Sequence, residues 1–369
     1  MKVYDTLAAK KKDFTPGDVA RIFLCGPTVY DYLHAGHARM LLFYDAVARY
    51  LRSLGTEAKV IVNITDIDPK VFARAKAEGR EPKELAGAYI GKLLYDAAAL
   101  GIDGFALARV SDHVQTARLL ARRLLDEGKA YSAGGNVYLD ANGAGFGRLS
   151  KMTEQELADC RLDIAPGKRS PSDILLWKAS EDFGASFPDD VLGGGVPWWH
   201  MQDTSVAMAS FGGRYDMHGG ADELVYPHHE SHLAQLSALT SESKPVKLWT
   251  HVGLVYAKGK KMSKSLGNTV AVRELLQDHS ANEMRLYFYS THYRKRLDFS
   301  EQDLARCAAA DSVIAGAIDK KNKATYMKRF MQKMDDDFDT PGAVKVMLEA
   351  ACAGAGTGAM AEILGLRYR

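Results

Sequence analysis

Cysteine is scarce in this chain. The four present, Cys25, Cys160, Cys307 and Cys352, stand far apart and suggest no disulfide framework. That usage fits a reducing compartment and points to the cytoplasm. Long apolar runs are also missing, and none would span a membrane. The opening residues, MKVYDTLAAKKKDF, lack the apolar centre of a secretory signal. Charge of one sign is missing as well: 48 Lys and Arg face 46 Asp and Glu, a formal net charge of +2. Such a balance neither demands nor excludes nucleic acid, which would need local basic patches. No repeat period is visible. What is present is an ordinary globular composition, 47% hydrophobic and 25% charged over 369 residues. That length suffices for about two or three packed domains.

Residues Arg21 to Leu24 (RIFL) form a short apolar run that opens into CGPTVYD, so they read as a strand ending in a loop. From His37 to Leu54, the residues Leu41, Leu42, Ala46, Val47, Tyr50 and Leu51 recur near helical spacing, with Gly55 as a stop. Lys59 to Asn63 (KVIVN) reads as a second strand. The three make a βαβ unit with a right-handed crossover and a parallel sheet. Ligands of such sheets bind at the carboxyl ends of the strands, where Cys25 and Thr65 fall. Glu84 to Leu100 and His113 to Glu127 read as helices. From Ser132 to Gly194, Gly and Asp rise and strands shorten, as in an insertion between two halves of the sheet domain. Tyr215 to Val225 and Trp249 to Tyr256 read as returning sheet segments. Beyond Asn268 the chain reads as helical, with AACAGAGTGAMA a Gly/Ala-rich loop.

Two short stretches are candidates for phosphate chemistry. HAGH, His34 to His37, lies between a strand-end loop and a helix start. Gly36 lets a ligand approach the backbone, the helix start offers unpaired N–H groups, and two imidazoles can donate to phosphoryl oxygens as charge builds. Taken alone, four such residues read more simply as a His-capped helix start. KKMSKSLGN, Lys260 to Asn268, sets lysines and serines on a Gly-bounded loop that can grip a triphosphate. Taken alone, it reads as a solvated basic loop. A third stretch, PHHESH, Pro227 to His232, packs three histidines and a carboxylate into a few residues. It lacks the HExxH spacing of a protease helix, since only Ser231 separates Glu230 from His232.

HAGH and KMSKS in one chain resemble the two nucleotide-binding signatures of class I aminoacyl-tRNA synthetases. The ordered stretches CGPTVYDYLHAGHAR, NITDID, WWHMQ, HGGADELVYPHHE, KMSKSLGN, THYRKRLDFSEQDL and MDDDFDTP resemble cysteinyl-tRNA synthetase from about Tyr4 to Pro341. The resemblance implies an α/β fold: a Rossmann-like, doubly wound parallel sheet with an inserted connective subdomain and a C-terminal helical region. The expected division is 1–112 and 198–256 for the two catalytic halves, 113–197 for the insertion, 257–300 for the KMSKS loop and stem-contact region, and 301–369 for a helical domain. It implies activation of L-cysteine with ATP and Mg2+, then transfer to tRNA(Cys). By similarity, His34 and His37 stabilise the transition state and Lys261 and Lys264 hold phosphates. Gly36, His218, Gly219, Gly220 and Ser263 would join the ATP site. Ala221 stands where the family often has a third glycine. Thr65 would contact the substrate, and Trp199, or Trp198 beside it, would wall the cysteine pocket.

The family selects cysteine with a zinc ion that binds its thiolate, because a near-isostere such as serine is poorly excluded by shape alone. The usual ligands are two cysteines, a histidine and a glutamate. Cys25 matches the first cysteine. In WHMQDT, with Trp199 and His200 anchoring the register, Asp203 occupies the second. His228 matches the histidine, and His232 stands in place of the glutamate. The expected site is therefore Zn2+ on Cys25, Asp203, His228 and His232, all possible ligand types. Pro227 suits a first helical turn, so His228 and His232 would share a face. His229 and Glu230 would serve the helix start or support the ligands.

Basic residues after the KMSKS region (Arg294, Lys295, Arg296, Lys320, Lys321, Lys323, Lys328, Arg329 and Lys333) could meet tRNA phosphates or form a solvated face. The chain stops at Arg369, soon after MDDDFDTP. The expectation is a short form without the family's anticodon domain, a monomer that charges tRNA through the acceptor stem. Two alternatives stay open. One is a tRNA-independent ligase that joins cysteine to a small amine, as in mycothiol-type synthesis. The other is a non-catalytic tRNA-binding paralogue, against which the intact HAGH and KMSKS argue.

Overall fold

The RIFL run lies at the centre of a parallel sheet, and that placement sets everything else. A computed structural model describes residues 1–369 apart from 142–144, 161, 164, 180–183, 264–265 and 369. The chain begins with an antiparallel hairpin, β1 (Lys2–Asp5) against β2 (Lys10–Asp13). Then come β3 (Val19–Leu24), α1 (Ala35–Ser53), β4 (Glu57–Ile64), α2 (Pro69–Glu78), α3 (Pro82–Ala99) and β5 (Phe105–Arg109). Ile22, Phe23 and Leu24 are fully buried, as expected of a strand covered on both faces. Helix α1 is apolar almost all round and buries Leu41, Leu42, Ala46, Val47, Tyr50 and Leu51. Within it, Asp45 forms a buried ion pair with Arg285 at 2.7 Å.

A helix, α4 (Val114–Asp126), leads into a separate antiparallel sheet of β6 (Ala130–Ala133), β7 (Asn136–Leu139), β8 (Ile174–Ala179) and β9 (Gly195–Pro197). The chain then returns through α5 (Trp199–Phe211), β10 (Tyr215–Ala221), α6 (Glu230–Thr240) and β11 (Val246–Val252). The five-stranded sheet has the order β11-β10-β3-β4-β5, and every pairing in it is parallel. Strand order therefore reverses between β3 and β10, opening a crevice at their carboxyl ends, where ligands of such sheets bind. This is the Rossmann-like arrangement expected from the sequence. Two short strands follow, β12 (Val255–Ala257) and β13 (Lys260–Lys261), and then helices. No helix among the described residues is long and apolar enough to cross a membrane.

Three local expectations are corrected. The segment expected as sheet from Trp249 to Tyr256 breaks at Gly253, where a Cβ would stand 2.3 Å from the Lys295 carbonyl oxygen. Helix α6 starts at Glu230 rather than Pro227. Tyr226, the residue before the proline, is held extended (φ −132°, ψ 136°), and Val225–His229 forms a wide π-type turn. In AACAGAGTGAMA only the middle is a loop, because helices cover Thr340–Cys352 and Gly358–Ile363 on either side.

Candidate active site and metal centre

Helix α1 starts on His34. Its extended backbone (φ −107°, ψ 166°) turns the ring back so that Nδ1 accepts the Gly36 N–H at 3.1 Å. Because Nδ1 accepts, the proton of the neutral ring lies on Nε2, which is left as a donor. His37 stacks on His34, with centroids 3.8 Å apart. The simple capping role and a donor nitrogen thus coexist in one imidazole.

Backbone pairing brings the stretch just beyond KMSKS alongside. Ala35 N–H donates to Val270 O and Val272 N–H to Leu33 O, both at 2.9 Å. Asn268 folds the loop: its Oδ1 accepts the Ser263 N–H and its Nδ2 donates to Lys261 O, both at 2.9 Å. Lys261 pairs with Glu223. Lys264 lies outside the described residues. Sequence reasoning missed Arg39, two residues beyond HAGH. Its buried guanidinium donates to the carbonyls of Gly253 (2.7 Å), Leu254 (3.3 Å), His292 (3.2 Å) and Lys295 (2.6 Å), riveting α1 to the break before β12 and to the 292–295 turn. Burial lowers its pKa to about 10.

Cys25 follows β3 directly, and its N–H donates to Gly219 O at 3.0 Å. Asp203 reaches it from α5 and His228 from the π-type turn, where Asp203 Oδ2 and His228 Nε2 are 2.9 Å apart. The ligand atoms of Cys25, Asp203 and His228 lie within 4.8 Å of one another, and all three residues are buried. His232 is not part of that triad. It lies one turn further on, fully buried, with its ring centroid 5.8 Å from that of His228 and no hydrogen-bond partner on Nε2 among the described residues. Trp199 stacks on the His228 ring (4.6 Å, 12°), whereas Trp198 Nε1 donates to Asp163. Of the two tryptophans, Trp199 is the one at the cluster. Thr65 sits beside the Cys25 loop, its carbonyl accepting the Val29 N–H at 3.2 Å.

A second triad shares the thiol. His218 Nε2 is 3.4 Å and His229 Nε2 3.1 Å from Cys25 Sγ. Each ring is braced behind: Tyr215 OH is 2.6 Å from His218 Nδ1, and His251 Nε2 is 2.7 Å from His229 Nδ1. His251 Nδ1 in turn meets the Thr6 hydroxyl at 2.8 Å. The sequence expectation set His218 near the adenosine; the structure buries its ring between Cys25 and Trp249. Gly220 makes room here, because a Cβ would stand 2.7 Å from the His229 ring. No motif spacing signals His251.

The electrostatics fit a cation. Burial first, and the Asp203 charge second, push the Cys25 thiol well up. Burial alone would raise Asp203 too, but His228, in direct contact with it, holds it below the usual carboxylate range. Burial drives His232 down to about 3 against the opposing pull of Asp203, so its ring stays neutral with a lone pair to give. A thiol and a carboxylate in one dry pocket, beside the neutral His232 ring whose Nε2 has no hydrogen-bond partner among the described residues, suit a borderline-soft divalent metal.

Residues 12–309 match the family model described as tRNA synthetases class I (C) catalytic domain. The chain is 36% identical over 371 residues to the cysteine–tRNA ligase of Hahella chejuensis, covering 96% of this chain and 79% of that one. It is 35% identical over 381 residues to the cysteine–tRNA ligase of Thermococcus onnurineus, with the same coverage of 96% and 79%. Among solved structures, the Mycobacterium tuberculosis methionyl-tRNA synthetase in complex with methionyl-adenylate superposes with a TM-score of 0.69 at 15% identity, covering 94% of this chain and 89% of that one. That likeness concerns the fold. With its crevice flanked by HAGH and KMSKS and a Cys–Asp–His cluster at the strand ends, the chain belongs to the cysteine-type class I tRNA synthetases.

Proposed function

We propose that the chain activates L-cysteine with ATP and transfers the cysteinyl group to the terminal adenosine of tRNA(Cys). The observation that carries this reading is the backbone pairing of the HAGH helix start with Val270–Val272, just beyond the KMSKS stretch, at the same end of the sheet as the Cys25–Asp203–His228 cluster. A cysteine carboxylate oxygen attacks the α-phosphorus of ATP, and the bond to pyrophosphate breaks. His34 donates from Nε2 to the phosphoryl oxygens as charge builds, with His37 beside it. Lys261 leaves Glu223 for the triphosphate, and Lys264 and Ser263 join it, with Mg2+ accompanying the nucleotide. Gly36 keeps the helix start open to the nucleotide, and Gly219 and Gly220 lie near the carboxyl end of β10, at the same crevice. In the second step the ribose hydroxyl attacks the adenylate carbonyl and AMP departs.

Cys25, Asp203, His228 and His232 would hold a zinc ion, which when bound supplies a soft Lewis acid that prefers sulfur to oxygen. Trp199 walls that pocket and Thr65 faces the amino acid. Residues 1–112 and 198–256 form the catalytic unit in this reading, 113–197 the insertion, 257–300 the loop and stem-contact region and 301–369 the helical part. Arg294, Arg296, Arg329 and Lys333 are already paired with Asp337, Asp298, Glu349 and Asp339. The exposed Lys295, Lys320, Lys321, Lys323 and Lys328, without an ion pair among the described residues, are the ones left to meet tRNA phosphates. Four free cysteines fit a cytoplasmic enzyme.

The test is cysteine-dependent exchange of pyrophosphate into ATP, followed by transfer of labelled cysteine to tRNA or to small amines. Exchange and tRNA labelling are expected. Labelling of an amine alone would replace the acceptor, and no exchange with any amino acid would refute the reading.

A further inference from the structure

Asn63 has no part in the chemistry above, yet it joins the two halves of the sulfur-end cluster. It is the penultimate residue of β4 and 1% exposed. Its Oδ1 accepts the Gly26 N–H at 2.6 Å. A backbone N–H can only donate, so the amide cannot be flipped and Nδ2 must face the other way. There it donates to Asp203 Oδ1 at 2.5 Å. The oxygen left facing His228 Nε2, at 2.9 Å, is Oδ2. Gly26 directly follows Cys25, so one side chain ties the backbone behind the thiol to the carboxylate in front of it.

A carboxylate has two equivalent oxygens and a broad, roughly two-fold terminal torsion. Left to itself it could present either oxygen, or both, to a cation. We infer that Asn63 is a positioning residue that makes Asp203 a one-oxygen ligand, engaging Oδ1 so that only Oδ2 enters the cluster. The inference rests on the metal reading above and deepens it. The requirement comes from the aspartate itself, since a thiolate at position 203 would offer a single donor atom with nothing to select.

Zinc affinity of the full chain, measured by competition with a chromophoric chelator, tests this, together with the visible spectrum of the Co2+ form and a thermal melt as a fold check. Asn63→Ala should weaken zinc binding by about 10–100-fold, the usual effect of losing an outer partner of a ligand, and alter the Co2+ spectrum. In an Asp203→Cys background the same change should cost less than about threefold, because no carboxylate remains to orient. If Asn63→Ala fails to fold, Asn63→Asp serves instead. One of its oxygens still accepts from Gly26, but no donor is left for Asp203 Oδ1, and zinc affinity should fall by about 10–100-fold with an altered Co2+ spectrum. Unchanged zinc affinity in the folded variant, or an equal loss in both backgrounds, would overturn the inference and leave the metal reading standing. A wild-type chain that binds no zinc would overturn both.

Discussion

Acid should loosen the sulfur end of this protein, and His251 shows by how much. Its ring is 5% exposed, and burial lowers its pKa to about 3 from an ordinary 6.5. Above the ordinary value the ring is neutral in both the folded and unfolded chain and contributes nothing. Between about 6.5 and about 3 the unfolded chain takes up a proton that the folded chain refuses. Stability therefore falls as pH falls, by about 1.4 kcal/mol per pH unit. At pH 5.0, about 1.5 units below the ordinary value, the loss from this one ring is about 2 kcal/mol. Against a typical total of about 5–15 kcal/mol that is a large share. His251→Gln removes the titration and keeps a donor and an acceptor towards His229 and Thr6. Urea denaturation of the metal-free chain, followed by tryptophan fluorescence at pH 7.5 and 5.0, isolates the term, since carboxylates titrate alike in both proteins. The drop in unfolding free energy between the two pH values should be about 2 kcal/mol smaller in the variant. Equal drops would refute the claim that the ring is held neutral.

Arg39→Ala should destabilise the fold by about 3–5 kcal/mol, because hydrogen bonds from a charged donor contribute about 1.5–3 kcal/mol each and water entering the gap recovers part. Chemical denaturation reads this, and a loss below about 1 kcal/mol would show that the four carbonyls manage without it. His34→Asn keeps a capping acceptor for Gly36 but changes the group that Nε2 offers. Cysteine-dependent pyrophosphate exchange should slow by about 100-fold with little change in thermal stability. An unchanged rate would leave His34 as a helix cap alone.

Much of this fold is legible in sequence because its signals are local. RIFL and KVIVN announce buried parallel strands by composition, and the stripe from Leu41 to Leu51 announces α1 by period. HAGH and KMSKS set the expectation of where nucleotide chemistry belongs before any coordinate is known. The register of WHMQDT places Asp203 where the structure brings it to Cys25 and His228. What sequence did not convey depends on contacts between distant segments. Gly219 faces Leu24 across the β3–β10 pair, so the neighbouring His218 lies beside Cys25, and only the strand order reveals this. Arg39 sits in a helical pattern where an arginine would be expected to face solvent, and its carbonyl partners come from more than two hundred residues away. Asn63 looks like the end of an apolar strand until Gly26 and Asp203 are placed on either side.

The contact between Thr6 and His251 has a practical consequence. The tip of the amino-terminal hairpin is stitched to the sheet by Thr6 N–H to Trp249 O at 2.9 Å and Trp249 N–H to Asp5 Oδ1 at 3.0 Å. Through His251 and His229, the sixth residue of the chain is three hydrogen-bonded steps from the sulfur of Cys25. Trimming a handful of leading residues to ease expression would thus reach the buried cluster around Cys25. An affinity handle fused there without a spacer would pull on the same chain of contacts.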